Sequence, residues 1–354
     1  MLKSWPRSLL RWYYAQRRTM PWRDNPTPYA VWISEIMLQQ TRVSAVIPYF
    51  ERFMIHFPTV ESLAESDLQA VLKCWEGLGY YSRARNLHRC AKQIVSEFGG
   101  TIPGTYEELL TLPGIGPYCG AAIASIAFGI PVPAIDGNVL RAASRFFGIY
   151  TDITKPVART DLFQLLLPAI RSSKDPSAFT QGMIELGAMV CTPKSPSCTS
   201  CPLQKGCVAF QTDIVSLLPV KKKKAPVPHY EVGIGIVWNE NQQILLAQRR
   251  ETQMLGGLWE FPGGKQLGEE TLEETVLRKV KISTGVHVSV GQKLHTVDHA
   301  FTHFTIRVHA YLCHLTKGSA SALGYTQVKW VPPVEISTYP LPAVDKKIWE
   351  LLAL

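Results

Sequence analysis

Apolar and polar positions follow one rhythm up to about residue 212 and another from about residue 229. In the first stretch the period is helical: Leu68, Val71, Leu72, Trp75 and Leu78 fall on one helix face, and so do Leu87, Ala91, Ile94 and Val95. A helix is also expected to open at Thr27-Pro28, the favoured order of cap and proline, and to run from Tyr29 to about Leu38. The uncharged stretch from Leu109 to Ile135 is broken by Pro113, Gly114, Gly116, Pro117, Gly120, Gly129, Pro131 and Pro133. Such a segment reads as a turn and a buried helix, not as a membrane span. In the second stretch the period becomes two: Val232, Ile234, Ile236 and Trp238 face one way, while Gly233, Gly235 and Val237 face the other. Phe304, Ile306, Val308 and Ala310 repeat the strand pattern, and one helix is expected from Glu269 to about Ile282. Between the two stretches, Lys221 to Lys224 followed by Ala225-Pro226-Val227-Pro228 reads as a solvated linker. The expected architecture is therefore multidomain: an all-α part over 1–212, a linker over 213–228, and an α+β part over 229–354.

The 354 residues suit two or three domains, and 46% hydrophobic with 18% charged residues describes a globular protein with a substantial core. A net charge of +9 points to an anionic partner, either nucleic acid or a membrane surface. Arg11 interrupts the apolar residues near the N-terminus, and Pro21-Trp22-Arg23 already reads as folded domain, so a cleaved leader is not expected. The expected location is the reducing cytoplasm, near the nucleoid in a bacterium. There, clustered cysteines indicate metal, not disulfides. Cys191, Cys198, Cys201 and Cys207 form such a cluster, C-x6-C-x2-C-x5-C. Spacing alone admits either a structural zinc or an iron–sulfur cluster. Cys74, Cys90, Cys119 and Cys313 are scattered and read as core residues.

Leu112-Pro113-Gly114-Ile115-Gly116 joins two helical stretches and feeds a helix starting near Pro117. Free N–H groups at such a start form an anion site suited to a DNA phosphate. Further on, Asp136 follows an apolar run and precedes the helical pattern of Val139, Leu140, Ala143 and Phe146. It is placed as an N-cap, where helix N–H groups would keep it ionised. Glu35 contrasts with it, because Val31, Trp32, Ile36 and Leu38 surround it. A carboxyl in that company has a raised pKa and keeps its proton. One neutral and one charged carboxyl is the pairing that splits a glycosidic bond.

Together these residues resemble the helix-hairpin-helix base-excision DNA glycosylases, in particular the adenine-removing MutY family. The resemblance rests on Val31 to Thr41, Gly77 to Arg85, the Leu112–Gly116 hairpin, Asp136-Gly137-Asn138 and the four-cysteine loop. It implies a six-helix module at about 25–130 and an iron–sulfur module built from 1–24 and 131–212, with the four cysteines holding a [4Fe–4S] cluster. It implies that an adenine is extruded from the duplex, that Glu35 protonates its N7, and that Asp136, helped by Asn138, stabilises an oxocarbenium-like sugar. Tyr118 stands where bifunctional relatives carry a nucleophilic lysine, which implies a monofunctional enzyme; with lysine there, an endonuclease III-like lyase for oxidised pyrimidines would be the reading. Arg18, Trp22 and Arg23 are implied in the base pocket, and Leu38 in DNA binding. Gln40, Thr41 and Tyr80 are implied as a wedge into the duplex, and Gly114 and Gly116 as phosphate contacts. The expected partner is double-stranded DNA carrying A:8-oxoguanine or A:G mispairs, bound by a monomer.

The C-terminal part resembles the Nudix fold. Phe261-Pro262-Gly263-Gly264-Lys265 and Glu270 match its signature, but Arg278-Lys279 and Ile282-Ser283 stand where the metal-binding carboxylates belong. With too few oxygen ligands for a hard cation, the domain is expected to read a base and not to hydrolyse a nucleotide. The resemblance places 8-oxoguanine recognition on a Phe-Ser-His strand motif, here Phe301-Thr302-His303.

Overall fold

The computed structural model describes residues 4–24, 26–222 and 226–352. Lys223, Lys224 and Ala225 of the expected linker lie outside the described residues. Helices dominate the chain as far as the linker: α1 (Trp5–Gln16), α2 (Pro21–Asp24), α3 (Pro28–Leu38), α4 (Val43–His56), α5 (Val60–Glu65), α6 (Leu68–Cys74), α7 (Ser82–Phe98), α8 (Tyr106–Leu109), α9 (Pro117–Phe128), α10 (Gly137–Phe147), α11 (Pro156–Ser172), α12 (Pro176–Glu185) and α13 (Val208–Gln211). Among the described residues seven strands follow: β1 (His229–Trp238), β2 (Ile244–Gln248), β3 (Trp259–Glu260), β4 (Gly263–Lys265), β5 (His287–Ala300), β6 (Thr305–Lys317) and β7 (Gln327–Val331). Helix α14 (Leu272–Thr284) lies between β4 and β5, and α15 (Ala343–Leu352) follows β7. Among the described residues, no helix is long and apolar enough to cross a membrane.

Packing divides the chain into two compact units, Met1–Glu65 with Asn86–Lys224, and Ser66–Arg85 with Ala225–Leu354. In the first unit the helix starts are set by local chemistry. The Thr27 hydroxyl accepts the Ala30 N–H at 3.1 Å and Pro28 supplies a preset first turn, so α3 begins where the sequence places it. A core of Leu9 from α1, Val139 and Phe146 from α10, Leu162 and Ile170 from α11, and Phe179 and Met183 from α12 excludes water on one side. On the other, α3 packs against α4 and α9. The uncharged stretch resolves into the turn and buried helix expected of it, with α9 burying Cys119 to Ser125.

In the second unit, β1 lies at the centre of a mixed sheet. It pairs in parallel with β6, with Val232 opposite Val308 and Ile234 opposite Ala310, and antiparallel with β2 and β4. Its alternation separates two apolar faces. Ile234 and Ile236 pack with Val344 and Ile348 of α15, whereas Val237 packs with Val276 and Val280 of α14. Segment Ser66–Arg85 packs within this same unit. Gln69 donates to the Gly257 carbonyl at 3.1 Å and accepts the Trp259 indole N–H at 3.1 Å. Buried Glu76 accepts the Leu341 N–H at 2.9 Å and pairs with Lys73 and Lys346, each at 3.0 Å.

Three sequence expectations shift. Helix α14 starts at Leu272, not Glu269, because Thr271 forms a capping box with Glu274. Helix α6 ends at Cys74, so Trp75 and Leu78 are buried in the following turn, and Val95 of α7 faces solvent. Strand β6 begins at Thr305. Phe301 to Phe304 form the turn that closes the β5–β6 hairpin, with the Phe301 N–H on the Phe304 carbonyl at 2.8 Å. The first-unit core sets a stability expectation. Phe179 is 2% exposed, so Phe179→Ala is expected to cost the helical unit about 3–5 kcal/mol in urea unfolding.

Candidate active site

Four elements of the first unit bring their chemistry to one cavity of about 850 Å³. Helix α3 contributes Glu35 and Leu38, the turn into α9 contributes Tyr118, the start of α10 contributes Asp136 and Asn138, and the segment from α1 to α2 contributes Arg18, Trp22 and Arg23. Thr41 also lines it. The two carboxyls singled out in the sequence therefore share a cavity.

Glu35 is 6% exposed. Burial is the largest influence on it and lifts its pKa to about 7. The Tyr118 hydroxyl, donating to Glu35 Oε2 at 2.8 Å, opposes that rise, Asp136 adds to it, and Arg23 opposes it. Tyr118 is itself raised well above the usual tyrosine range, mainly by burial and next by the Glu35 charge, so it remains a donor. Asp136 caps α10 as expected. Its Oδ1 accepts the Val139 N–H at 2.7 Å and its Oδ2 accepts the Asn138 side-chain N–H at 2.8 Å. The helix N–H groups expected to keep it ionised do lower its pKa, but burial is the larger influence and the net shift is upward.

Two residues at the site were not foreseen. Arg141, outside the cavity lining, binds the Asn138 amide oxygen at 2.9 Å, the Gly187 carbonyl at 2.7 Å and the Cys191 carbonyl at 2.7 Å, and so ties the Asp136–Asn138 cap to the cysteine loop. Glu185 is buried and pairs with Arg18 and Arg23. A signal existed for Glu185, a lone carboxylate in the apolar run Met183 to Val190, the same signal that singled out Glu35. After Glu185 the backbone widens into one π-helical turn, Leu186–Val190. That turn presses against α10: a Cβ on Gly187 would sit 2.6–2.8 Å from Asn138 atoms, so only glycine fits.

The hairpin joins α8 to α9. Gly114 takes φ +80°, and a side chain there would meet Asn86 at 2.6 Å; Gly116 is the N-cap of α9. Gln40 lies beyond α3 with φ +57°, a conformation uncommon for a residue with a side chain. In the second unit Tyr80 has φ +48°. Its hydroxyl hydrogen-bonds the Thr302 hydroxyl, and both line a cavity of about 550 Å³ with Phe301 and His303. The surviving Nudix carboxylate, Glu270, is held by Arg278, with Nε at 2.8 Å, and its pKa falls to about 2.

The four clustered cysteines are free thiols lining one apolar cavity, with the Arg145 guanidinium 3.4 Å from Cys191 Sγ. Among the described residues, no three His, Cys, Asp or Glu side chains are arranged to hold a single metal ion.

The helical unit, with its hairpin beside a two-carboxyl cavity, has the fold of the helix-hairpin-helix base-excision DNA repair proteins. The family model for HhH-GPD superfamily base excision DNA repair proteins matches residues 33–167, and that for the NUDIX domain matches residues 233–351. The adenine DNA glycosylase of Buchnera aphidicola subsp. Schizaphis graminum (strain Sg) is 35% identical over 87% of this chain and 87% of its own length. That of Homo sapiens is 32% identical over 97% of this chain and 73% of its own. The chain belongs to the adenine DNA glycosylase family, enzymes that hydrolyse the bond between base and sugar. A thermostable thymine-DNA glycosylase aligns with TM-score 0.55 and 26% identity over 59% of this chain and 96% of its own. A non-covalent endonuclease III–DNA complex, at TM-score 0.51 and 21% identity over 60% and 96%, shares the fold.

Glu35 makes folding pH-dependent. Its proton is held to about pH 7 in the folded chain but only to about 4.5 in the unfolded one. This stabilisation is complete below about pH 4.5 and is lost as pH rises through 7. Glu35→Gln removes it. Relative to wild type, the variant is expected to gain on the order of 3 kcal/mol between about pH 4 and pH 8, read from paired denaturation curves.

Proposed function

We propose that this enzyme removes adenine paired with 8-oxoguanine or guanine, by protonating the base and hydrolysing its N-glycosidic bond. The observation that carries the reading is the pair of carboxyls in one cavity, with Glu35 titrating near neutrality. The adenine is drawn out of the stack into the cavity, because its reacting atoms are out of reach inside the duplex. Glu35 gives its proton to N7, so the leaving base departs neutral. Asp136, fixed by the Val139 N–H and the Asn138 amide, faces the positive charge that develops on the sugar, and water completes the hydrolysis.

Tyr118 is spent as a donor to Glu35 and offers no amine, so no Schiff base with the sugar forms. This favours a monofunctional glycosylase over an endonuclease III-like lyase. Arg18, Trp22, Arg23 and Leu38 wall the base pocket, Gln40, Thr41 and Tyr80 enter the duplex, and Gly114 and Gly116 offer backbone to a phosphate. In the C-terminal unit, Phe301, Thr302 and His303 read the opposite 8-oxoguanine, with the Thr302 hydroxyl as the polar contact. Cys191, Cys198, Cys201 and Cys207 would hold a [4Fe–4S] cluster. Four reduced thiols facing one cavity suit a group that fills it better than a single zinc, which needs its sulfurs about 2.3 Å away. When bound, the cluster supplies an inorganic cross-link that fixes the loop to which Arg141 ties Asn138.

An end-labelled duplex with one adenine opposite 8-oxoguanine, incubated with enzyme and then alkali, is expected to be cut at that adenine only. Cutting without alkali, or a borohydride-trapped adduct, would point to the lyase instead. Glu35→Gln is expected to bind the mispair yet lose at least about a thousandfold in excision rate, a general acid's share and more; a rate near wild type refutes the acid assignment. Thr302→Ala is expected to narrow the rate ratio of 8-oxoguanine to guanine as opposite base, and an unchanged ratio removes Thr302 from recognition.

A further inference from the structure

Glu185 is the last residue of α12, and its side chain is 1% exposed. Arg18 grips both of its oxygens, Nε at 2.9 Å and Nη2 at 2.8 Å, and Arg23 Nη2 reaches it at 3.0 Å. Arg23 is fixed further: its Nη1 donates to the Arg18 carbonyl at 3.0 Å, and its guanidinium lies 5.8 Å from the Tyr13 ring centre. All three charged side chains line the excision cavity. A buried carboxylate held by ion partners is a poor device for stability alone, because apolar residues of the same volume usually serve at least as well. Here the triad faces the reacting groups, and Arg23 is one of the charges acting on Glu35.

We propose that Glu185 is a positioning residue of the excision site, which fixes Arg18 and Arg23 against the cavity wall and cancels one of their two positive charges there. The inference rests on the reading of Glu35 as the acid. The groups facing Glu35 are Tyr118 from α9, Asp136 at the cap of α10, and Arg23 from α2; those facing Glu185 are Arg18, Arg23 and Tyr13 of α1. Removing the Glu185 charge makes the cavity more positive, and a more positive cavity favours the ionised form of Glu35. Excision depends on the protonated form, so the fall in activity with rising pH moves to lower pH. Removing Arg18 moves it the other way.

The test is single-turnover excision from an A:8-oxoguanine duplex across pH, with full-length wild type, Glu185→Gln, Glu185→Asp and Arg18→Gln. Glu185→Gln is expected to shift the alkaline fall by at least about half a pH unit downward. Glu185→Asp keeps the charge one methylene shorter, so it is expected to be slower while keeping the wild-type position. Arg18→Gln is expected to shift the fall upward. A Glu185→Gln profile superimposed on wild type, or a Glu185→Asp profile displaced as far as Glu185→Gln, overturns the proposal, because a purely structural residue changes rate without moving the profile. Should Glu185→Gln fail to fold by circular dichroism, Arg18→Gln decides, and an unmoved profile there overturns the proposal. Survival of wild-type rates in Glu35→Gln marks the acid assignment itself as the failure, and this inference falls with it.

Discussion

A carboxyl group out of water, with the Tyr118 phenol donating to it, organises the excision cavity of the first unit. Helix α3 buries eight neighbours of Glu35, from Tyr29 to Met37, so the charged form of this side chain is costly. Burial raises its pKa, and a carboxyl raised too far holds its proton too firmly to release it. The Tyr118 hydroxyl pulls it back toward about 7, near the value at which an acid is both loaded and willing to give. The hairpin matters to chemistry for this reason. Gly114 turns the chain and Gly116 caps α9, so that the second residue of that helix meets Glu35. A shift of the turn by one residue would rotate Tyr118 away and free the carboxyl's pKa to rise.

The second carboxyl is held by a different device. Asp136 is only partly buried, and it spends its oxygens on a helix N–H and on Asn138, with Arg141 beyond them. Two acids in one cavity thus differ in their partners as well as in their exposure. Arg141 extends the arrangement outward by joining Asn138, the π-helical turn and the Cys191 carbonyl with one guanidinium. Gly187 lets that turn lie against Asn138 without intervening side chain. The Arg141 guanidinium and the Gly187 contact together join the cysteine loop to the capping pair.

What could be read from the sequence was local. Thr27-Pro28 starts α3 and Asp136 caps α10 because these signals act within four residues. Buried character was likewise legible for Glu35, since its own helix supplies the apolar neighbours. The Glu185 triad was not legible, because its arginines lie more than a hundred and sixty residues away and pattern reading sees only the run around each residue. The same limit hid the packing of Ser66–Arg85 with the C-terminal unit: Gln69 and Glu76 look like surface polar residues until Trp259 and Leu341 meet them. The Phe301 to Phe304 turn was misread as strand because alternating aromatic residues satisfy both descriptions, and only the Phe301–Phe304 hydrogen bond decides.

The C-terminal unit shows why fold and chemistry separate. Its sheet and its capping-box helix need apolar faces, turns and caps, all of which it keeps. A divalent cation would need a surplus of carboxylate oxygen, and here Arg278 answers the single remaining glutamate. With Glu270 driven to about 2, that pair is ionised at any physiological pH, and the guanidinium engages both carboxylate oxygens. Replacing ligands by a cation costs the fold nothing that it requires, since the sheet core lies on other residues. The same scaffold also carries a hairpin turn that is tied to Tyr80 through a hydroxyl pair, a feature that the sheet core does not depend on.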